Sequence, residues 1–118
     1  MPKFLAIYMG AHSSSKRTEW EALDETTRKE REAAGMKAWM DWHETHAASI
    51  VDNGGPLGKT KRTDNDGVAD TKNNLTGYVI VEAPSHDAAA KMFENHPHFA
   101  VFPGEAVEIM TCPPIPGM

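Results

Sequence analysis

The sequence predicts an α+β fold of the ferredoxin-like type, with the element order β-α-β-β-α-β in one domain over residues 1–118. Strand-like runs open and close the chain, a third clear one begins near residue 75, and two stretches of helical periodicity separate them. This order folds as a four-stranded antiparallel sheet with two helices on one face. A length of 118 residues is typical of a single domain.

The first strand is predicted at residues 3–9, where the sequence Lys-Phe-Leu-Ala-Ile-Tyr-Met is apolar on both alternating faces. A strand that is apolar on both faces is covered on both sides of its sheet. Because two helices cover one side only, we expect a second copy of the chain on the other. The sequence therefore predicts a homodimer that packs through its sheet faces.

Two helical runs follow the first strand. Thr18 and Glu21 fit a capping box that begins the first helix, and Gly35 interrupts or kinks the pattern. The second run extends from Met36 to about Ala48. At 100° per residue its apolar stripe includes two histidines. The stripe consists of Met36, Trp39, Met40, His43, His46, Ala47 and Ile50.

The next segment predicts a second strand that is bent and partly exposed. Residues 50–52 begin it, and the run Asn53–Gly58 marks a bulge or loop. Residues 59–63, which are mostly charged, continue the strand as an exposed edge. The polar stretch 64–74 is predicted to be turn and loop.

The remaining elements have clearer boundaries. Residues 75–83 predict a strand that ends at Pro84, and Ser85 caps the helix that follows. Pro97 ends this helix, and the helix dipole favours a cationic His96 at its C-terminus. Residues 105–112 predict the last strand.

Composition excludes several classes of protein. Twelve Lys and Arg against seventeen Asp and Glu give a net charge of −5, whereas a nucleic-acid-binding protein needs a basic face. The sequence has no run of 18 apolar residues, so we expect no membrane partner. The N-terminal run lacks the pattern of a signal peptide, and a lone cysteine, Cys112, is typical of a reducing compartment. Together these features predict a cytoplasmic protein.

The order of several segments resembles that of the YCII-related proteins of the dimeric α+β barrel superfamily. The opening strand is similar, and residues 54–57, Gly-Gly-Pro-Leu, resemble the family's Gly-Pro-Leu loop. Residues 77–90 with Pro97 resemble its strand–helix–proline half, and Glu108 stands where the family has a Glu in its closing strand. The resemblance runs over most of the chain.

The resemblance implies a dimer with a pocket between the sheet and its helices, near the Gly-Pro loop. Some family members carry a His on the first long helix and an Asp nearby, which have been proposed to act as a catalytic pair. That His falls near Ala38 in this sequence and not on His43 or His46.

His43, His46 and Asp52 are the candidates for catalysis. Two imidazoles three residues apart on one helix face provide a general base near neutral pH, and a carboxylate after the helix can orient one of them. The alternative for the histidines is a hydrogen-bonded pair at the edge of the core. The alternative for Asp52 is an Asx turn.

Six further residues are candidates for ligand binding. The backbone N–H groups of a glycine-rich loop can hold an anion, or the loop can simply be a strand bulge. Aromatic residues and histidines at the expected mouth complete the set, which is Trp39, Gly54, Gly55, Tyr78, His12 and His98. No motif for a metal or an organic cofactor is present, so we expect neither.

The sequence therefore supports two hypotheses about function. The first is a lyase or isomerase that acts on a small molecule by His/Asp acid–base chemistry, in a pocket between sheet and helices. The second is a non-catalytic dimer that binds a metabolite or a protein.

Overall fold

The computed structural model describes residues 1–10 and 15–118, and its secondary structure is α+β. The strands are β1 (Lys3–Met9), β2 (Ile50–Pro56), β3 (Thr60–Asp64), β4 (Gly67–Thr71), β5 (Leu75–Glu82) and β6 (Ala106–Thr111). The helices are α1 (Ser15–Ala22), α2 (Glu25–Thr45), α3 (His86–Lys91) and α4 (Pro97–Ala100), with a 3-10 turn at Ala47–Ser49.

Four of the strands form one antiparallel sheet in the order β2-β5-β1-β6. β1 lies in the centre and pairs with β5 along its whole length, from Lys3 opposite Glu82 to Tyr8 opposite Gly77. The predicted four-stranded antiparallel sheet is confirmed, and β1 has the predicted bounds. The apolar composition of β1 on both faces agrees with its central position.

One face of the sheet packs against the helices and holds the core. Every second residue of β1 points to this face, and the core cluster includes the ring of Trp42 from α2. Gly77 allows this packing at Tyr8, because a Cβ at residue 77 would lie 3.3 Å from the Tyr8 ring. The cluster consists of Phe4, Ala6, Tyr8, Trp42, Val79, Val81, Ala83, Ala89 and Phe93.

The helical region between β1 and β2 begins and divides differently from the prediction. Thr18 lies inside α1, so the predicted capping box there is wrong. The N-cap with the observed hydrogen bond is Asp24, whose Oδ1 accepts from the Thr27 N–H at 2.7 Å and lowers the pKa of the Asp24 carboxyl. The predicted break at Gly35 is also wrong, because α2 continues through it.

At Gly35 the segment that contains Val101 and Phe102 packs closely against α2. A Cβ at this position would lie 2.5 Å from the Phe102 ring and 3.1 Å from Val101. The glycine therefore lets the segment after α4 approach the helix backbone. A glycine inside a helical pattern marks close packing here and not a kink.

The buried stripe of α2 is rotated from its predicted position. Met36 and Met40 were expected to be buried but are 55% and 63% exposed. Trp42 is buried instead, and its indole Nε1–H donates to the Met92 carbonyl at 2.9 Å. Trp39, His43 and His46 are half-buried, in keeping with the prediction for the histidines.

Residues 60–71 form a separate two-stranded sheet of β3 and β4, where the sequence predicted an edge strand followed by a loop. All of its residues after Thr60 are exposed, and its charges pair across the strands, as Lys61 does with Asp70. A ladder with no buried face leaves no apolar alternation in the sequence, which explains the error.

The second face of the four-stranded sheet has no helix against it in the described residues. β1 presents Leu5, Ile7 and Met9 there, and on β5 Ile80 lies opposite Leu5 and Tyr78 lies opposite Ile7. The β6 neighbours include Met110, which is 41% exposed. None of the described helices is long and apolar enough to cross a membrane.

Candidate functional site

A buried group of histidine and aromatic side chains lies where the C-terminal end of β1 meets α2 and α4. It contains two buried histidines, His96 with no exposed surface and His98 at 8%. The Trp39 ring packs edge-on against both, with centroids 4.6 and 5.9 Å away. The Tyr8 ring lies within 5.3 Å of both. The fold thus places two imidazoles in an aromatic, water-poor environment.

Hydrogen bonds fix which ring nitrogen of His96 and of His98 carries the proton. The His98 backbone N–H donates to His96 Nδ1 at 3.0 Å, so the neutral His96 ring carries its proton on Nε2, which faces the Tyr8 hydroxyl at 3.5 Å. His98 Nε2–H donates to the Met9 carbonyl at 2.7 Å. His96 is therefore the N-cap of α4, with Pro97 at the first helical position.

The prediction of a cationic His96 at a helix C-terminus is wrong. Burial, followed by repulsion from His98, His43 and His46, lowers the pKa of His96 to about 3. Burial also lowers the pKa of His98, against an opposing effect of its bond to Met9. Burial raises the pKa of Tyr8, so the phenol keeps its proton at neutral pH.

His43 and His46 are half-buried on α2, and both rings lie beside the buried ring of Trp42. The Trp42 ring is 5.3 Å from the His43 ring and 4.6 Å from the His46 ring. His46 Nδ1 lies 2.9 Å from the Trp42 carbonyl, and His46 is also the C-cap of α2. Because a carbonyl only accepts, the Nδ1 carries the proton and Nε2 keeps a lone pair.

Asp52 is exposed and makes an Asx turn. Its Oδ1 accepts from the Gly54 N–H at 2.8 Å, at a place where the pairing of β2 with β5 shifts register. In the part of the chain that the structure describes, no ion pair joins Asp52 to His43 or His46.

The predicted ligand-binding residues do not come together in one place. Trp39 belongs to the helix side of the sheet, whereas Tyr78 pairs with Ile7 on the other face. Gly54 and Gly55 lie in β2, where Gly55 pairs with Tyr78. His98 is buried in the cluster and not at a rim. His12 lies outside the described residues.

Grooves open elsewhere on the surface. One, of about 710 Å³, separates the β3–β4 hairpin from the start of β5. Another of about 300 Å³ lies between α3 and β6, beside Phe93. A third of about 360 Å³ lies between α1 and the segment after α4. None of these three is lined by His43, His46 or Asp52, and within residues 1–10 and 15–118 no three His, Cys, Asp or Glu side chains converge as metal ligands.

Sequence reasoning missed Tyr8 and the pairing of His96 with His98 as a buried unit. In the sequence Tyr8 is only one of several apolar strand residues, and its register opposite Gly77 depends on tertiary pairing. A signal for His96 was present, because Pro97 follows it and proline favours the first position of a helix.

Comparison with known proteins agrees with this architecture of a small α+β protein. The YCII-related domain matches residues 8–112, and the chain belongs to that family. A similar solved structure is 5-chloro-2-hydroxyhydroquinone dehydrochlorinase from Burkholderia phenoliruptrix AC1100, in complex with 2,5-dihydroxybenzoquinone. It is 23% identical, with a TM-score of 0.50 over 91% of this chain and 89% of that one. No curated protein matches the sequence.

Proposed function

We propose that this protein is a small-molecule enzyme of the lyase or isomerase type that transfers protons with histidine side chains. The observation that carries the proposal is the tautomer of His46. Its Nδ1 proton is held by the Trp42 carbonyl, so the neutral ring offers the Nε2 lone pair that a general base needs. His43, one turn away on the same half-buried face, is the proposed acid.

Two further facts support this proposal. The chain belongs to the YCII-related family, and it shares its fold with an enzyme named as a dehydrochlorinase. Removal of hydrogen chloride from a carbon skeleton takes away a proton, which is a task for a general base. In this proposal Asp52 orients a histidine with the carboxylate oxygen, Oδ2, that its Asx turn leaves free.

Replacing His46 by glutamine tests the role of the base. The glutamine amide can still donate to the Trp42 carbonyl, but it has no lone-pair nitrogen that accepts a proton at neutral pH. With 5-chloro-2-hydroxyhydroquinone as the probe, we expect chloride release to fall by about 100-fold or more in kcat. The exposed His86, replaced by glutamine, is the control and retains the wild-type rate. Equal rates for the two variants would contradict the proposed base.

A non-catalytic dimer that binds a metabolite is the second candidate, and a specific observation favours it. His46 caps α2 and Asp52 closes an Asx turn, so each side chain also has a local structural role. If this candidate is correct, the wild-type protein binds the probe in calorimetry without releasing chloride.

The proposal includes a homodimer, with the ferredoxin-like sheet of each copy facing the other as in a dimeric α+β barrel. The sheet order β2-β5-β1-β6 is compatible with this assignment, with the β3–β4 hairpin as an insertion. The face without helices carries Leu5, Tyr78 and Met110, and burial of such side chains against a second copy stabilises association.

Light scattering tests the dimer. We expect about twice the 13.0 kDa of one chain at micromolar concentration. Met110→Lys places a charge on the open sheet face and is expected to return the mass to that of one chain. Met36→Lys changes an exposed methionine of α2 and leaves the mass unchanged. A wild-type mass near 13.0 kDa would exclude the dimer.

A further inference from the structure

The groove between α1 and the segment after α4 combines aromatic rings with fixed positive charge. It has a volume of about 360 Å³, which is within the range of small-ligand sites. Trp20 of α1 and Phe102 form its aromatic side, with ring centroids 5.8 Å apart. Among the described residues, Lys16 and Arg31 line it with one acidic residue, Glu19, so their summed charge is positive in a chain whose net charge is −5.

The two cations of this groove differ in how they are held. Lys16 Nζ donates to the Phe99 carbonyl at 2.9 Å and to the Gly104 carbonyl at 3.4 Å, so its ammonium group is anchored and one N–H remains. Arg31 forms no ion pair or hydrogen bond within the described part of the chain, and its guanidinium is free for a carboxylate.

The packing of the groove wall shows why the rings are in place. Gly35 lets Phe102 contact α2, and the Phe102 ring lies 6.0 Å from the Trp39 ring. Trp39 in turn contacts His96. The Phe102 ring of the groove is therefore connected through Trp39 to the buried histidines.

We infer that this groove binds a small planar aromatic anion, such as a benzoate-type carboxylate. The ring of the ligand would stack on Trp20 and Phe102, and its negative group would contact Arg31 and the free N–H of Lys16. The volume limits the ligand to about one substituted ring. This inference does not depend on the proposed reaction, because binding is measured without turnover.

Titration with benzoate tests the inference, with benzamide as a neutral ligand of the same shape. We expect saturable quenching of tryptophan fluorescence by benzoate, and binding of benzamide at least about tenfold weaker, since it lacks the charge. Arg31→Gln is expected to weaken benzoate binding about tenfold and to leave the affinity for benzamide unchanged.

Two variants keep the test independent of folding and of fluorescence. Lys37→Gln removes a cation from the exposed face of the same helix, outside the groove, and is expected to bind benzoate as the wild type does. Trp20→Leu removes the stacking ring and is expected to weaken the affinity for benzoate, measured by calorimetry, at least about fivefold. Equal binding of benzoate and benzamide, or equal affinities of Arg31→Gln and Lys37→Gln for benzoate, would overturn the inference.

Discussion

Replacing Gly54 by alanine is expected to destabilise the protein by about 3 kcal/mol. The backbone at Gly54 has a φ of +59°, a conformation that residues with a Cβ rarely adopt. A Cβ there would also collide with the backbone carbonyl of Tyr78 on β5. That carbonyl belongs to the paired strand and cannot move away as a side-chain tip could, so β2 and β5 must separate. Urea unfolding measures the loss.

Gly55 provides a matched control one residue along the same strand. A Cβ at Gly55 would have no atom within 4 Å, and its φ is not positive. Gly55→Ala is therefore expected to change the free energy of unfolding by less than about 1 kcal/mol. If the two variants have the same stability, the close contact between β2 and β5 is absent in solution.

This pair of glycines shows what the sequence could and could not predict. The Gly-Gly-Pro run indicated a bulge or a ligand loop, and the structure places a bulged strand there. Which of the two glycines is required depends on the distance to Tyr78, a contact between segments 24 residues apart in the sequence. Local sequence patterns carry no information about how closely two segments that are distant in the sequence approach each other.

Elements with an apolar face were predicted well, and elements without one were not. β1 has its predicted bounds because both of its faces are apolar. The β3–β4 hairpin was missed because its stabilising contacts are backbone pairs and surface charges. On α2, the apolar side chains of Met36 and Met40 led to the wrong prediction of the buried face, and both are exposed. The hydrophobicity of a methionine does not show whether another segment packs against it.

The candidate site was predicted in part, for a related reason. The helix periodicity correctly placed His43 and His46 on a half-buried face. The burial of His96 with His98 depends on α4 folding against β1, a long-range contact that brings the His98 ring to the Met9 carbonyl. No spacing within the sequence could have predicted that contact.

Acidification is expected to destabilise the protein through His96. Burial lowers its folded-state pKa to about 3 from an ordinary value of 6.5. Between these two values the unfolded chain binds more protons, so stability is complete above about pH 6.5 and is lost as the pH falls toward 3. This one group is expected to remove about 2–3 kcal/mol between pH 6 and pH 4, and His98, whose pKa burial also lowers, acts in the same direction.

Urea unfolding at several pH values, compared with the variant His96→Asn, isolates this contribution. Asparagine is a good N-cap and can still accept from the His98 N–H, but it does not titrate. Its stability at pH 7 is expected to be lower because the ring contacts with Tyr8 and Trp39 are lost. Its decline between pH 6 and pH 4 is expected to be about 2 kcal/mol shallower than that of the wild type. Parallel curves for His96→Asn and the wild type would mean that His96 is accessible to protons in the folded state, and the buried cluster would then have to open readily to water.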